Sequence, residues 1–239
     1  MGAKASSPPV GSEHSREPLG SRPLRITTVD EKVDVLDALG EKTDRIAWKS
    51  EAHRLGLWHR RFHCWVVTPE TPSGGPYLLV QRRAAGKDTW PNKLDVTVGG
   101  HLKVGESALD GLREIAEELG LSASADELIA LGTRRVERRI PAGLDREFQE
   151  VFMLARSLSL EDLRLQAEEV AAVVRLHLDN VEALYKGAAV VPAEEWADGR
   201  KSPVSVRLAD FVSEEDSYLL RAAWAARKIL AGERPEPLF

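Results

Sequence analysis

Three glutamates, Glu114, Glu117 and Glu118, fall at i, i+3 and i+4 in the run Arg113-Glu114-Ile115-Ala116-Glu117-Glu118-Leu119-Gly120. On a helix those offsets put all three carboxylates on one face, and like charges so placed destabilise a helix by about 0.2–0.5 kcal/mol per pair. A divalent cation would remove the repulsion, and hard Mg²⁺ favours carboxylate oxygens together with substrate phosphates. Arg113 precedes Glu117 by four residues and can orient a carboxylate. A glycine-rich approach, Gly99-Gly100-His101-Leu102-Lys103-Val104-Gly105-Glu106-Ser107, leads into this segment. A solvated acidic face is the competing reading; the glycine approach and the internal Arg-Glu pair weigh against it.

The elements that must position these groups follow from pattern. A helix is predicted over 107–119, with Ser107 and Asp110 approximating a capping box and Gly120 as the stop. Strands are predicted over 33–37, 62–67, 77–81, 94–98, 128–136, 148–155 and 171–178, where β-formers are bounded by turn residues. Ser50 is placed as the N-cap of a short helix, another short helix starts at Val181, and 214–230 carries an amphipathic stripe through Leu219, Leu220, Ala223, Trp224, Ala226, Arg227 and Leu230. Strands and helices interleave without regular βαβ spacing, so the expected class is α/β (α+β), with a mixed β-sheet sandwiched between helices.

The chain has 239 residues, 43% apolar and 30% charged, with a net charge of −5. That composition fits a soluble globular protein and excludes collagen-like or wholly disordered chains. The mild acidity gives no electrostatic footprint for nucleic acid, and no apolar run is long enough for a membrane span. A single cysteine, Cys64, excludes an intramolecular disulfide framework and fits a reducing, cytoplasmic setting. Residues 1–24, rich in Ser, Pro and Gly, read as a disordered tail. The division expected is this tail, a domain over 25–185, and a C-terminal extension over 186–239 whose amphipathic helix packs on the domain or, alternatively, on a second copy in a homodimer.

At the acidic helix the chain resembles the Nudix hydrolase family. Gly100, Glu106, Arg113, Glu114, Ile115, Glu117, Glu118, Gly120 and Leu121 match its box by type. One spacing departs: six residues, not seven, separate Glu106 from Arg113. The resemblance implies a Nudix fold and hydrolysis of a nucleoside diphosphate linked to another group, with Mg²⁺ or Mn²⁺ held by Glu114, Glu117 and Glu118. Gly100 is counted with that metal set, and Arg113 with the catalytic one.

The likeness extends over residues 32–185 to the branch containing type I isopentenyl-diphosphate isomerase, through 33–37, 53–59, Gln81-Arg82-Arg83 and Trp90-Pro91. It implies a second metal site of His53, His59, His101, Asp145 and Glu147, with His53 and His59 one residue closer together than in the family pattern. In that isomerase a cysteine precedes the Gly-His pair; here Gly99 holds the position, and Cys64 lies in an apolar strand. Hydrolysis needs a metal cluster, a base for water and cations for phosphate. Glu147 and Glu150 are the candidate bases or further ligands. Arg82, Arg83 and Lys87 are the phosphate-contact candidates, since guanidinium presents a planar fork of donors. Gly99, Gly100 and His101 line the substrate pocket, and Glu169 is a further residue able to approach the metals. The expected function is a metal-dependent pyrophosphohydrolase acting on a small-molecule pyrophosphate. The alternatives are an isomerase of the related branch and a catalytically silent binding module.

Overall fold

The computed structural model describes residues 1–2, 30–71, 74–212 and 216–239. The tail expected over 1–24 therefore lies almost wholly outside the described residues, as does the start of the helix expected from Glu214.

The centre is strand β3 (Trp58–Thr68), eleven residues buried along most of their length. Its period-two alternation feeds two cores. Phe62, Cys64 and Val66 pack with Ile115 and Leu119, while Trp65 and Val67 pack with Leu219, Ala222, Ala223 and Ala226. A strand covered on both faces carries a near-continuous apolar run, as Phe62 to Val67 does apart from His63. Around it run β1 (Lys32–Leu36), β2 (Lys42–Trp48), β4 (Tyr77–Arg83), β5 (Leu94–Asp95), β6 (Val98–His101), β7 (Leu128–Ile140), β8 (Gly143–Ala155), β9 (Val170–His177), β10 (Val191–Ala197) and β11 (Arg200–Val206). The main path of the sheet is β11-β10-β9-β4-β3-β1-β2; β6 and β8 also pair with β3, β5 with β4, and β7 with β8. Strands β3 and β8 run parallel, His59 opposite Glu147, whereas β6 is antiparallel to β3, Phe62 opposite Gly100. The sheet is thus mixed, with helices on both faces.

Helix α1 (Lys49–Leu55) has its N-cap at Trp48, two residues before the expected cap at Ser50. The expected helix over 107–119 is divided. Ser107 and Asp110 form the capping box, but it opens a 3-10 turn, Ala108–Gly111, and α2 proper is Leu112–Leu119. The turn lies hard against β3: a Cβ at Gly111 would come within 2.4 Å of the Phe62 ring, so only glycine permits this approach. Ile115 and Leu119 are fully buried, each contributing about 1.5–3 kcal/mol. Gly120 ends the helix in the left-handed region at φ 69°.

Residues beyond Lys186 supply more than the expected amphipathic helix. Strands β10 and β11 form a hairpin that joins β9, Trp196 opposite Val173. Helix α3 (Leu178–Tyr185) precedes them, and α4 (Tyr218–Leu230) follows and buries Leu219, Ala222, Ala223 and Ala226 in the core shared with β3, β4 and β9. No helix among the described residues is long and apolar enough to cross a membrane.

Candidate functional site

Strand β6 is the pivot of the site, because its alternation turns successive residues to opposite faces of the sheet. Gly100 faces α2: a Cβ there would sit 2.0 Å from the Glu114 carboxyl, so the helix carboxylate occupies the space glycine leaves. Gly99 and His101 face the other way, beside their β3 partners His63 and Arg61.

On the α2 side Glu114 and Glu118 are buried and Glu117 is half exposed. Glu118 Oε2 accepts from Gly99 N at 3.2 Å and Gln81 Nε2 at 3.3 Å. Burial pushes the Glu118 carboxyl up to about 8, with the nearby Glu114 charge adding to it. Burial likewise raises Glu114 to about 7, against the opposing pull of Arg113. Arg113 organises the cluster. It donates to Glu114 Oε1 at 2.6 Å, Glu117 Oε2 at 3.2 Å and the His101 carbonyl at 3.0 Å. It also grips both oxygens of Glu106, at 2.9 and 3.1 Å, so the shortened Glu106–Arg113 spacing does not separate them. Two buried carboxyls that resist ionisation form a donor set suited to a hard divalent ion, which would stabilise their charged forms.

On the opposite face His53, His59 and His101 bring ligand atoms within 4.8 Å of one another, and His59, Asp145 and Glu147 do the same. His53 Nε2 and His59 Nε2 lie 3.5 and 3.8 Å from Asp145 Oδ1, and His101 Nε2 lies 3.6 Å from Glu147 Oε1. All three Nε2 atoms and Asp145 Oδ1 are buried without a hydrogen-bond partner. Buried polar atoms are rarely left so, and four converging on one point fit an ion. His59 Nδ1 sits 2.9 Å from the Leu57 carbonyl, which can only accept, so the proton is on Nδ1 and the Nε2 lone pair is free to ligate. Burial lowers His53 to about 4, and it lowers His59 and His101 as well, leaving the imidazoles neutral as ligation requires. Burial raises Asp145 to about 8, with the Glu147 charge adding to it. Glu147 is also disfavoured by burial, but the Arg61 guanidinium, with the Gln149 hydrogen bond, outweighs that and holds its carboxyl well below the usual range. Three imidazoles and two carboxylates suit a transition metal or zinc better than they suit magnesium.

The other expected site residues are less concentrated. Glu147 belongs to the histidine centre, whereas Glu150, opposite Phe62 in the β3–β8 register, turns to the α2 side and accepts from Thr133 Oγ1 at 2.9 Å. Arg82 pairs with Glu195 at 2.6 Å and Arg83 with Asp95 at 3.2 Å, while Lys87 pairs with Glu169. Each of the three phosphate-contact candidates therefore already has a carboxylate partner. Cys64 is fully buried, and burial pushes its thiol up to about 12.

Sequence reasoning missed Arg61 and Gln149. Arg61 donates to Glu147 Oε1 and to the Gly99 carbonyl, both at 3.1 Å, and Gln149 donates to Glu147 Oε2 at 2.5 Å. Each lies two residues beyond an expected ligand on the same strand, so period-two alternation was the signal that could have found them.

Comparison with known proteins identifies the family. The NUDIX domain model matches residues 57–196. An uncharacterized Nudix hydrolase of Clostridium acetobutylicum is 40% identical over 150 residues, covering 62% of this chain and 72% of that one. An isopentenyl-diphosphate Delta-isomerase of Cereibacter sphaeroides is 33% identical over 109 residues, covering 44% and 56%. Among solved structures, DR0079 from Deinococcus radiodurans aligns with a TM-score of 0.49 at 22% identity, covering 66% of this chain and 90% of that one.

Proposed function

The chain belongs to the NUDIX domain family and is a Nudix hydrolase, and on that premise we propose that it cleaves a small-molecule organic diphosphate with Mg²⁺ or Mn²⁺ held at α2. One observation carries the proposal: Glu114 and Glu118 are buried against β6 with their carboxyls pushed up to about 7 and 8, beside Glu117. Folding two mutually repelling carboxylates into that position is costly unless a cation neutralises them. The cation would supply charge neutralisation at the pyrophosphate and a water of lowered pKa. The chain's own residues have distinct tasks. Glu114, Glu117 and Glu118 hold the ion, and Arg113 fixes Glu114 and Glu117 from one side. Gly99 N–H and Gln81 fix Glu118 from the other. Gly100 keeps the strand close enough for Glu114 to lie over it. The histidine centre is read as a second, transition-metal site of His53, His59, His101, Asp145 and Glu147.

Isomerisation of isopentenyl diphosphate is the second reading, favoured by this histidine centre and by the similarity to the Cereibacter protein. Gly99 speaks against it. The resemblance calls for a proton-carrying cysteine there, and even a Cβ would lie 3.2 Å from His63 Cδ2 and Val96 Cγ1 and 3.4 Å from Arg61 Nη2.

The test is a substrate panel with Mg²⁺: nucleotide sugars, dinucleoside polyphosphates, NADH, CoA, nucleoside triphosphates and isopentenyl diphosphate. Release of phosphate or a nucleoside monophosphate from at least one member is expected, abolished by Glu117→Gln or Glu118→Gln. Unchanged turnover in both variants refutes the metal assignment. Isomerised isopentenyl diphosphate would install the second reading, and tight binding without turnover a binding module.

A further inference from the structure

Beside the histidine centre a groove of about 610 Å³ opens between β7, the loop at Trp90 and the segment at Phe211. Its size is that of a small-ligand pocket. Five cationic residues, Lys93, Arg134, Arg135, Arg138 and Arg139, line it against two acidic ones, Glu137 and Asp216, with Arg134 and Arg138 both paired to Asp216. Three net positive charges are thus gathered in one concavity of a chain whose total is −5. Low-dielectric walls lined with one sign of charge focus the field and raise the local concentration of an oppositely charged ligand.

The groove is tied to the site already described. Arg138 stands directly across the β7–β8 register from Asp145, and Val136 stands across from Glu147. Arg134 donates to Gln149 at 2.6 Å, and Gln149 donates in turn to Glu147. Its floor is therefore one strand away from the histidine centre. The opposite wall is held in an uncommon backbone: Trp90 at φ 53° and Asn92 at φ 63° are two of the three non-glycine residues with positive φ among the described residues. Such conformations cost of order 1–3 kcal/mol each and cluster at ligand clamps. That wall is fixed from behind, where Val212 N donates to the Leu94 carbonyl at 2.9 Å.

We propose that this groove binds a phosphate monoester, separate from the scissile diphosphate. Arginine forks match phosphate oxygens two at a time, and a dianion offsets a surplus of three charges better than a single carboxylate does. The proposal goes beyond the hydrolase reading: the groove lies on the histidine face of the sheet, opposite the acidic cluster of α2, and is a separate site for a free phosphate monoester.

The experiment is calorimetric titration of the full chain in EDTA at low salt with ribose 5-phosphate, inorganic phosphate and, as the neutral control, ribose. Arg139 is exposed and Lys93 partly so, and Arg139→Gln and Lys93→Gln should fold. Both phosphates should bind at sub-millimolar concentration and ribose should not, with affinity falling at least 10-fold in the double variant. Absence of phosphate binding, or equal affinity in wild type and variant, overturns the proposal. The titration needs neither metal nor turnover, so its failure is distinguishable from failure of the hydrolase reading.

Discussion

Substituting Gly100 by alanine adds one methyl group and should disable the α2 metal site without removing a single carboxylate. The new Cβ would stand 2.0 Å from Glu114 Cδ and Oε1 and 2.6 Å from its Cγ, well inside any tolerated contact. The backbone at Gly100 is not left-handed, so alanine is acceptable there apart from this clash. The atoms in the way belong to the far end of a flexible side chain, and Glu114 should swing aside while β6 stays in place. Swinging aside sacrifices the 2.6 Å bond from Arg113, a charge-assisted contact worth about 1.5–3 kcal/mol, so the fold weakens but survives. Loss of a mere outer partner of a metal ligand costs about 10–100-fold in affinity, and displacing a ligand should cost no less. With Mn²⁺ at 100 times the wild-type Kd, binding stabilises the wild type by about 2.7 kcal/mol, and a site 100-fold weaker gains only about 0.4 kcal/mol. For a chain of this size those gains correspond to melting shifts of about 5–11 °C and about 1 °C. Thermal melts of wild type, Gly100→Ala and Glu114→Gln, each with and without Mn²⁺, read the difference directly. A folded Gly100→Ala protein with the full wild-type metal shift would refute the reasoning, because the methyl group and an intact Glu114 ligand cannot share that space.

The metal-free protein should be most stable near pH 6–6.5. Above pH 6.5, Glu114, raised to about 7, and Glu118 and Asp145, each raised to about 8, bind protons that their unfolded counterparts have lost, so stability should fall by about 4 kcal/mol towards pH 8. Below pH 6.5 the unfolded chain takes up protons that four imidazoles refuse, His53, lowered to about 4, His63, lowered to about 3, and His59 and His101, lowered as well; these outweigh the three raised carboxyls, so stability should fall again. Denaturant melts across this range, repeated with Mg²⁺, should show the alkaline decline reduced by the ion; a decline indifferent to Mg²⁺ would contradict the assignment. His59→Ala, which removes a ring nitrogen from the point where the unpartnered atoms converge, should lower bound Zn²⁺ or Mn²⁺ by one equivalent in elemental analysis, while Glu118→Gln keeps that equivalent. Unchanged stoichiometry in His59→Ala would remove the histidine centre.

Much of the α2 side was legible because its determinants are local. The capping box at Ser107 and Asp110, the stop at Gly120 and the i, i+3, i+4 glutamates all act within one helical segment. The state of the loop cations was not legible, since their partners are remote. Arg82 meets Glu195 across 113 residues and Lys87 meets Glu169 across 82, distances over which one sequence without its fold gives no pairing signal. The hairpin of β10 and β11 is an intermediate case. Asp198 and Gly199, at φ 50° and 72°, form the Asp-Gly turn that most strongly marks a two-residue hairpin, but Pro192, Glu194, Glu195 and Pro203 dilute the strand pattern around it. The separation of Gly100 from His101 was encoded in simple alternation, yet it gains meaning only once α2 and α4 are known to cover opposite faces of the sheet.

That separation bears on which chemistry the protein can do. Gly99 bonds to both centres at once: its N–H donates to Glu118 and its carbonyl accepts from Arg61, which donates in turn to Glu147. A side chain at Gly99 would project towards Arg61 and His63, and neither is free to yield. His63 Nδ1 is held 2.9 Å from the Tyr218 hydroxyl, and Arg61, largely buried, is the main counter-charge of Glu147. Moving Arg61 would leave an uncompensated carboxylate in the core, which typically costs about 3–5 kcal/mol. The position from which an isomerase's cysteine would work is thus filled by groups that hold the histidine centre together. Cys64, on the neighbouring strand, cannot substitute, because its side chain shares the Phe62 and Val66 face with α2, opposite to the histidines. What the site keeps is a set of acidic ligands without a thiol partner, and that set matches water-dependent cleavage of a phosphoanhydride better than proton transfer to and from carbon.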